Sequence, residues 1–453
     1  MNYIGKFNLC FKGKKYICHA SKTYAVNFVE ELRWRGMIHD IMPETENYLN
    51  NNKVGGYIGF DPTSDSLHIG SLVQIMILVH FQRHGHYPYI LIGGATGMVG
   101  DPSGKSKERN LLDKETLDHN LNCIKKQLSS FLKFKNIENP AVIVNNYDWF
   151  KDFKFLDFIR DVGKHISVNY MMAKDSVKKR LETGLSFTEF SYQLVQGYDF
   201  YWLYKNCNCK VQLGGSDQWG NIVTGTELIR RIEGGSAFAL TTPLIQKADG
   251  SKFGKTESGN IWLDPEKTSP YKFFQYWINS SDEDAENYIK IFSLKNQEEV
   301  NKLVKEHKDN PGLRLLQNEL AKSITLLVHG EANYLAAKEA SSILFKKGKQ
   351  AISSLKSLSD KLFNEIFDGV PQKNISRKLL DDEIDIIDAL VFHTGFLNSN
   401  GEARRSLKEN SISVNKQKVD INKRITKIDL IAEKYVLLQK GKKNYFIISV
   451  SDI

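Results

Sequence analysis

Residues 55–84 constrain the fold more than any other stretch of this chain. Gly55–Phe60 reads as a buried strand that stops at an Asp61-Pro62 turn. The turn continues through Thr63-Ser64-Asp65-Ser66-Leu67-His68-Ile69-Gly70-Ser71, and Gly70–His84 follows as a helix with apolar residues on one face. Small residues and a His at a helix start leave free N–H groups, and the dipole there favours phosphate. Tyr87–Gly93 reads as a second strand, running into the Gly-rich stretch Gly93–Asp101. Ala141–Val144 and Lys210–Leu213 are further strand candidates, each followed by helix-like sequence. Strands alternating with helices imply a parallel α/β sheet, with ligands at the carboxyl ends of its strands.

The 453 residues are enough for about two to four domains. No apolar run reaches the length of a membrane span. The five cysteines (10, 18, 123, 207 and 209) form no even framework, which suits a reducing cytosol. Cys207-Asn208-Cys209 has no second pair nearby and reads as ordinary thiols, and His80, His84 and His86 read as surface or core histidines, so no metal site is expected. The net charge of +9 is uneven. Residues 1–25 carry five lysines and no acid. A second basic concentration comprises Arg404, Arg405, Lys408, Lys416, Lys418, Lys423, Arg424, Lys440, Lys442 and Lys443. Such patches fit an RNA partner, while each residue alone fits a solvated surface equally well.

Three further stretches bear on chemistry. The glycines of 93–100 make no Gly-x-Gly-x-x-Gly, and Val99 stands where a phosphate loop would need glycine. In Ser191–Asp199, residues Tyr192, Gln196 and Asp199 are spaced i, i+4, i+7 and share a helix face. Three polar groups on an otherwise buried face each need a partner, from a core network or from a ligand. Finally Lys252-Phe253-Gly254-Lys255-Thr256 puts two lysines and a Thr on a Gly-containing loop, suited to following a polyphosphate as it changes shape.

The 61–71 string and the lysine loop together resemble the two signature motifs of class I aminoacyl-tRNA synthetases, usually His-Ile-Gly-His and Lys-Met-Ser-Lys-Ser. From about Val26 to the C-terminus the chain is similar to the bacterial tyrosyl-tRNA synthetases. Gln212-Leu213-Gly214-Gly215-Ser216-Asp217-Gln218-Trp219-Gly220-Asn221 is specific to these enzymes and their tryptophan cousins. The resemblance implies that Thr63, His68, Lys252, Lys255 and Thr256 act on the leaving pyrophosphate. It implies a tyrosine pocket of Tyr57, Asp61, Asp101, Tyr192, Gln196, Asp199 and Gln218, with Tyr57 and Asp199 on the phenol hydroxyl. ATP would meet Gly59, Gly70, Ser71, Gly215 and Asp217, with Lys105 and Arg109 reaching pyrophosphate from a loop. Ser71 replaces the second His of the first motif, and Ile58 stands where several relatives have Cys. Both departures bear on ATP affinity rather than on reaction class.

What the resemblance implies is a cytoplasmic homodimer that uses L-tyrosine, ATP with Mg²⁺, and tRNA(Tyr). The expected order is an N-terminal extension (1–25), a Rossmann-like catalytic domain (26–246), the lysine loop with a helical anticodon-side domain (247–350), a polar linker (351–385), and a small α+β alpha-L RNA-binding domain (386–453). The extension is open to three readings: transit peptide, disordered tail or start-site artefact. Other functions considered are a tryptophan-specific synthetase, a small-molecule adenylyltransferase and an inactive synthetase-like RNA-binding protein. The last should have lost Lys255 or Asp217, and both are present.

Overall fold

The structure is a computed structural model that describes residues 26–101, 103, 112–174, 177–178, 184–256, 259–343, 353–441 and 444–451. Residues 1–25, Lys105 and Arg109 lie outside these, as does the side chain of Thr256.

The catalytic region is built on five parallel strands: β1 (Gly55–Phe60), β2 (Tyr87–Ile92), β3 (Val142–Asn145), β4 (Cys209–Gly215) and β5 (Phe238–Thr242). Their order is β3–β2–β1–β4–β5, so the winding reverses between β1 and β4 and opens a crevice above their carboxyl ends. Five of the six β1 residues are buried, as expected where helices cover both faces of a parallel sheet. The sequence pattern marks β1 to β4 but not β5. Its Phe-Ala-Leu-Thr-Thr is short and ends in residues that read as loop. Thr241 and Thr242 are nevertheless fully buried, with the Thr241 backbone paired to His39 and Asp40.

The helix after β1, Ile69–Arg83, differs from the one-faced expectation: apolar residues are buried all round it, including Ile69, Leu72, Ile75, Met76, Ile77, Leu78 and Phe81. The cause is its position, against the sheet on one side and the Asp282–Phe292 helix on the other, within one continuous core. A buried Arg fastens the same junction. Arg35, on the short helix end following Phe28–Trp34, pairs with Glu31 at 2.7 Å and donates to the carbonyls of Ser293 (2.9 Å) and Lys295 (2.7 Å). It thereby serves the carbonyl of Ser293, the C-cap of the Asp282–Phe292 helix, and one in the loop that follows.

Residues 270–343 form the expected helical region: Pro270–Ile278, Asp282–Phe292, Gln297–Asp309 and Leu315–Ile343, the last interrupted at Gly330. Ser269 caps the first of these and Pro270 sits in its first turn.

The segment expected as a linker is instead ordered structure. Asp360–Ile366 is a helix, and Gln372–Ser376 is an edge strand running parallel to Asn444–Ser451 in the C-terminal sheet. Leu355, Phe363, Ile366 and Phe367 share an apolar cluster with Tyr271 and Ile343 on one side and Tyr435, Leu437 and Ile447 on the other. The Phe363 and Tyr435 rings stack at 4.4 Å. This segment joins the helical region to the C-terminal unit through a common core. That unit is mixed α and β: the Asn400–Lys408 helix beside a five-stranded sheet that includes Tyr435–Lys440.

Candidate active site

The carboxyl ends of β1, β2, β3 and β4 converge on a cluster of buried polar side chains, and the Phe187–Cys207 helix lies across it. Asp61 follows β1 directly. Its Oδ1 accepts from Thr96 Oγ1 (2.7 Å) and its Oδ2 from the Tyr192 hydroxyl (2.8 Å). Burial, then the charges of Asp61 and Asp101, push the Tyr192 phenol well above its ordinary value, so it stays protonated and donates. Asp101 accepts from Gln218 Nε2 (2.8 Å) and from the Ser103 amide (2.9 Å). Gln196 Oε1 accepts from Asn221 Nδ2 at 3.0 Å. The i, i+4, i+7 face thus meets two neighbouring hydrogen-bonded sets, Tyr192 and Asp199 in one with Asp61, and Gln196 in the other with Asp101 and Gln218.

Asp199 lies at the deepest point. It is fully buried, and its two oxygens accept from Asn146 Nδ2 (3.1 Å) and Trp149 Nε1 (2.9 Å). Desolvation dominates and raises its pKa to about 8, even though both hydrogen bonds act in the opposite direction. Beside it the Tyr57 hydroxyl is buried with no hydrogen-bond partner among the described residues. Burial and then the charge of Asp199 raise the Tyr57 phenol well above its usual range. An orphaned buried hydroxyl next to a buried carboxyl is costly unless something completes the set.

The members of these sets that carry no sequence-based assignment include Asn146, Trp149 and Asn221. Asn146, fully buried after β3, donates to Thr96 Oγ1 and Asp199 and accepts from the Ala95 amide (2.7 Å). Trp149 is held by stacking on Trp202 at 4.2 Å. Asn221 reaches Gln196, Gln218 and Ser103. Applying the carboxyl-edge rule to β3 would have pointed to Asn146.

The second half of the crevice lies at the start of the Ile69–Arg83 helix. His68 is its N-cap: Nδ1 accepts from the Gly70 amide at 3.0 Å, which leaves the proton of the neutral ring on Nε2 as a donor. Thr63 is exposed on the turn, and Gly59 exposes backbone at the end of β1. Ser71 is half-buried on the first turn of that helix. One turn further on, Gln74 donates to Thr242 Oγ1 (3.2 Å). Asp217 follows Gly215 at the end of β4, and burial with the nearby Asp101 charge raises its pKa.

The lysine loop crosses in front of this helix start. Its flanks pair as the strands Lys255–Thr256 and Gly259–Asn260. The Ile69 amide donates to the Ile261 carbonyl (3.0 Å) and the Leu263 amide to the Leu67 carbonyl (2.8 Å), which ties the two motifs together. Lys252 and Lys255 are both exposed, and neither forms an ion pair with a described residue. Two exposed cations without an ion pair among the described residues, beside a helix N-terminus and a His donor, form an anion-binding face. It adjoins the buried cluster of carboxylates and phenols, whose chemistry suits a ligand with an ammonium and a hydroxyl.

Known proteins carry the same sequence pattern. The family model described as tRNA synthetases class I (W and Y) matches residues 49–346, and the one described as the tyrosine–tRNA ligase SYY-like C-terminal domain matches residues 363–448. The chain is 59% identical to the tyrosine–tRNA ligase of Flavobacterium psychrophilum, over 94% of this chain and 99% of that protein. It is also 59% identical to that of Bacteroides fragilis, over 93% and 99%. Among solved structures it is similar to a C-terminally truncated mitochondrial tyrosyl-tRNA synthetase from Aspergillus nidulans. There the TM-score is 0.64 at 31% identity, covering 70% of this chain and 94% of that one.

Proposed function

The chain belongs to the class I tRNA synthetases of the tryptophan and tyrosine group, in the tyrosine–tRNA ligase branch, and on that premise we propose how its residues divide the reaction. The enzyme activates L-tyrosine with ATP and then transfers the tyrosyl group to tRNA. In the first step a carboxylate oxygen of tyrosine bonds to the α-phosphorus of ATP, and the bond to the β-phosphate oxygen breaks. Pyrophosphate leaves with that electron pair. No side chain becomes covalently attached; positioning and charge stabilisation carry the step.

In this reading the phenol enters between Tyr57 and Asp199. The orphaned Tyr57 hydroxyl is the observation that carries the assignment, because a ligand hydroxyl supplies the partner it lacks. Asp61, Asp101, Tyr192 and Gln196 surround the ammonium, and Gln218 lies toward the carboxylate. Gly59, Gly70, Ser71, Gly215 and Asp217 line the nucleotide side, where Mg²⁺ comes in with the triphosphate. Thr63, His68, Lys252, Lys255 and Thr256 meet the β- and γ-phosphates, together with Lys105 and Arg109. In the second step the terminal ribose hydroxyl of tRNA(Tyr) takes the tyrosyl group and AMP leaves. The basic residues of the C-terminal unit hold the RNA backbone. The setting is the cytoplasm; among the described residues no helix is long and apolar enough to cross a membrane.

The test is pyrophosphate exchange with each amino acid in turn. Exchange should depend on tyrosine and be far slower with tryptophan at equal concentration. Exchange driven by tryptophan alone would overturn the pocket assignment.

The enzyme works as a homodimer in this reading. Phe155, Leu156, Ile159, Val168, Met172 and Phe187 are exposed, Leu156 to 77%. They sit on elements that surround one small apolar cluster formed by Val162, Ile166, Met171, Leu194 and Leu228. That many large apolar groups in one region favour a second copy of the chain over water. Changing Phe155 and Leu156 together to Asp should shift sedimentation from dimer to monomer. A monomeric parent, or a dimeric double variant, would refute the interface.

A further inference from the structure

We propose that Tyr276 is a positioning residue for adenylate formation, holding the base of the lysine loop against the start of the Ile69–Arg83 helix. The inference rests on the reading that Lys252 and Lys255 act on the leaving pyrophosphate, and it adds what sets their position.

Tyr276 lies on the Pro270–Ile278 helix, outside the pocket and outside both signature motifs. The Gly254 amide donates to its hydroxyl oxygen at 3.2 Å. Gly254 separates Phe253 from Lys255, and its φ of +80° is in the left-handed region, where glycine carries no Cβ penalty. A Cβ at this position would stand 3.0 Å from Ile69 Cγ1, so the loop backbone lies directly against the helix start. The contact continues through the backbone. The Gly254 carbonyl accepts from the Ile261 amide (3.1 Å), and the Ile261 carbonyl accepts from the Ile69 amide (3.0 Å), next to His68.

Phe253 supplies the second attachment. Its ring stacks on Phe292 at 5.5 Å and meets Tyr288 edge-on at 5.1 Å, with Trp277 at 6.0 Å and Tyr276 at 6.3 Å. A third attachment lies upstream, where Asp284 Oδ1 accepts from the Ala248 amide at 2.9 Å. The loop therefore has a fixed floor and an exposed rim. Its floor is an aromatic socket on two helices of the helical region, and its rim carries Lys252 and Lys255. Phe253 and Gly254 both lie between the two lysines; the socket holds the first by its side chain, and the Tyr276 hydrogen bond holds the second by its backbone amide. Loss of that bond leaves the socket filled and the Gly254 carbonyl bonded to Ile261, but frees the amide that joins Phe253 to Gly254.

Tyr276→Phe in the full-length chain tests this, because it removes one oxygen and keeps the ring. Active sites are counted by the burst of adenylate formation. Three quantities are then measured per site: kcat for tyrosine-dependent pyrophosphate exchange, KM for tyrosine, and the single-turnover rate of transfer from preformed tyrosyl-adenylate to tRNA. Exchange kcat should fall about three- to tenfold, the equivalent of one net hydrogen bond. Tyrosine KM and the transfer rate should not change, because neither involves the departing pyrophosphate. Phe253→Leu, which keeps apolar filling but loses the stacking, should show the same split. Unchanged exchange kcat in Tyr276→Phe, an equal fall in the transfer step, or a raised tyrosine KM would each overturn the proposal. Lys255→Ala run alongside separates the two levels. If it loses exchange while Tyr276→Phe keeps it, only the positioning role fails; if Lys255→Ala keeps exchange, the pyrophosphate role of the loop fails.

Discussion

Replacing Lys255 with alanine should lower kcat for tyrosine-dependent pyrophosphate exchange by roughly two to three orders of magnitude, the scale of losing one preorganised group that meets charge developing in a transition state. The KM for tyrosine should stay within about twofold. The structure separates the two ends of the site. The groups proposed to hold tyrosine sit in a buried network whose members already pair, Asp61 with Thr96 and Tyr192, and Asp101 with Gln218. Lys255 is not part of that network: it is exposed, on a short hairpin in front of the helix that begins beside His68. Its charge is free to follow phosphate oxygens as the bond to the α-phosphorus lengthens, and it makes no ion pair with a described residue that would first have to break. An interaction gained only as the reaction proceeds appears in kcat and not in ground-state affinity. A variant with normal kcat and a raised tyrosine KM would place Lys255 on the amino acid instead.

The parts of this site that were legible in the sequence are local in the chain. A strand, a Pro turn and a capped helix follow one another within residues 55–84, so β1, Asp61, His68 and the helix start proposed to meet phosphate could all be placed from pattern alone. The same holds for the Tyr192, Gln196 and Asp199 face, which is fixed by helical period. The partners these groups take in space were not legible. Asn146 lies 53 residues from Asp199, just after a strand that reads as a short apolar run, and no spacing rule links the two. The misread linker has a related cause. Gln372–Ser376 buries only Ile375, so its composition is that of a solvated segment. Its order comes from backbone pairing with Asn444–Ser451, which leaves no mark on side-chain pattern at a sheet edge. β5 leaves little mark because Thr241 is buried by main-chain contacts with His39 and Asp40, and Thr242 by side-chain bonds with Gly214 and Gln74, rather than by apolar periodicity.

Asp199→Ala should cut kcat/KM for tyrosine by on the order of a hundredfold and leave that for phenylalanine nearly unchanged, so that selectivity collapses. A hydrogen bond to a charged or strongly polar buried acceptor contributes about 1.5–3 kcal/mol, against about 1 kcal/mol for a neutral one, so Tyr57→Phe should cost only several-fold. Phenylalanine has no hydroxyl to lose, which makes it the internal control. Unchanged selectivity in both variants would remove the pair from the phenol site. The same carboxyl should mark the ligand-free protein through pH. An unfolded aspartate ionises near 3.9, whereas buried Asp199 holds its proton to about 8. Over that interval the folded chain binds more protons than the unfolded one, so this group makes stability fall as pH rises from about 4 to about 8. Asp199→Asn cannot ionise, and its Tm should fall less than that of the parent between pH 5 and pH 8. The amide does not restore the site, however. Asn146 Nδ2 and Trp149 Nε1 both donate to position 199, and Asn146 Oδ1 is already taken by the Ala95 amide. One donor must then face the NH₂ of the new side chain. The Asn variant should therefore show the flatter Tm profile and still lose selectivity. A Tm profile parallel to the parent would mean that Asp199 is ionised in the free enzyme and that its burial is offset by contacts other than these two donors.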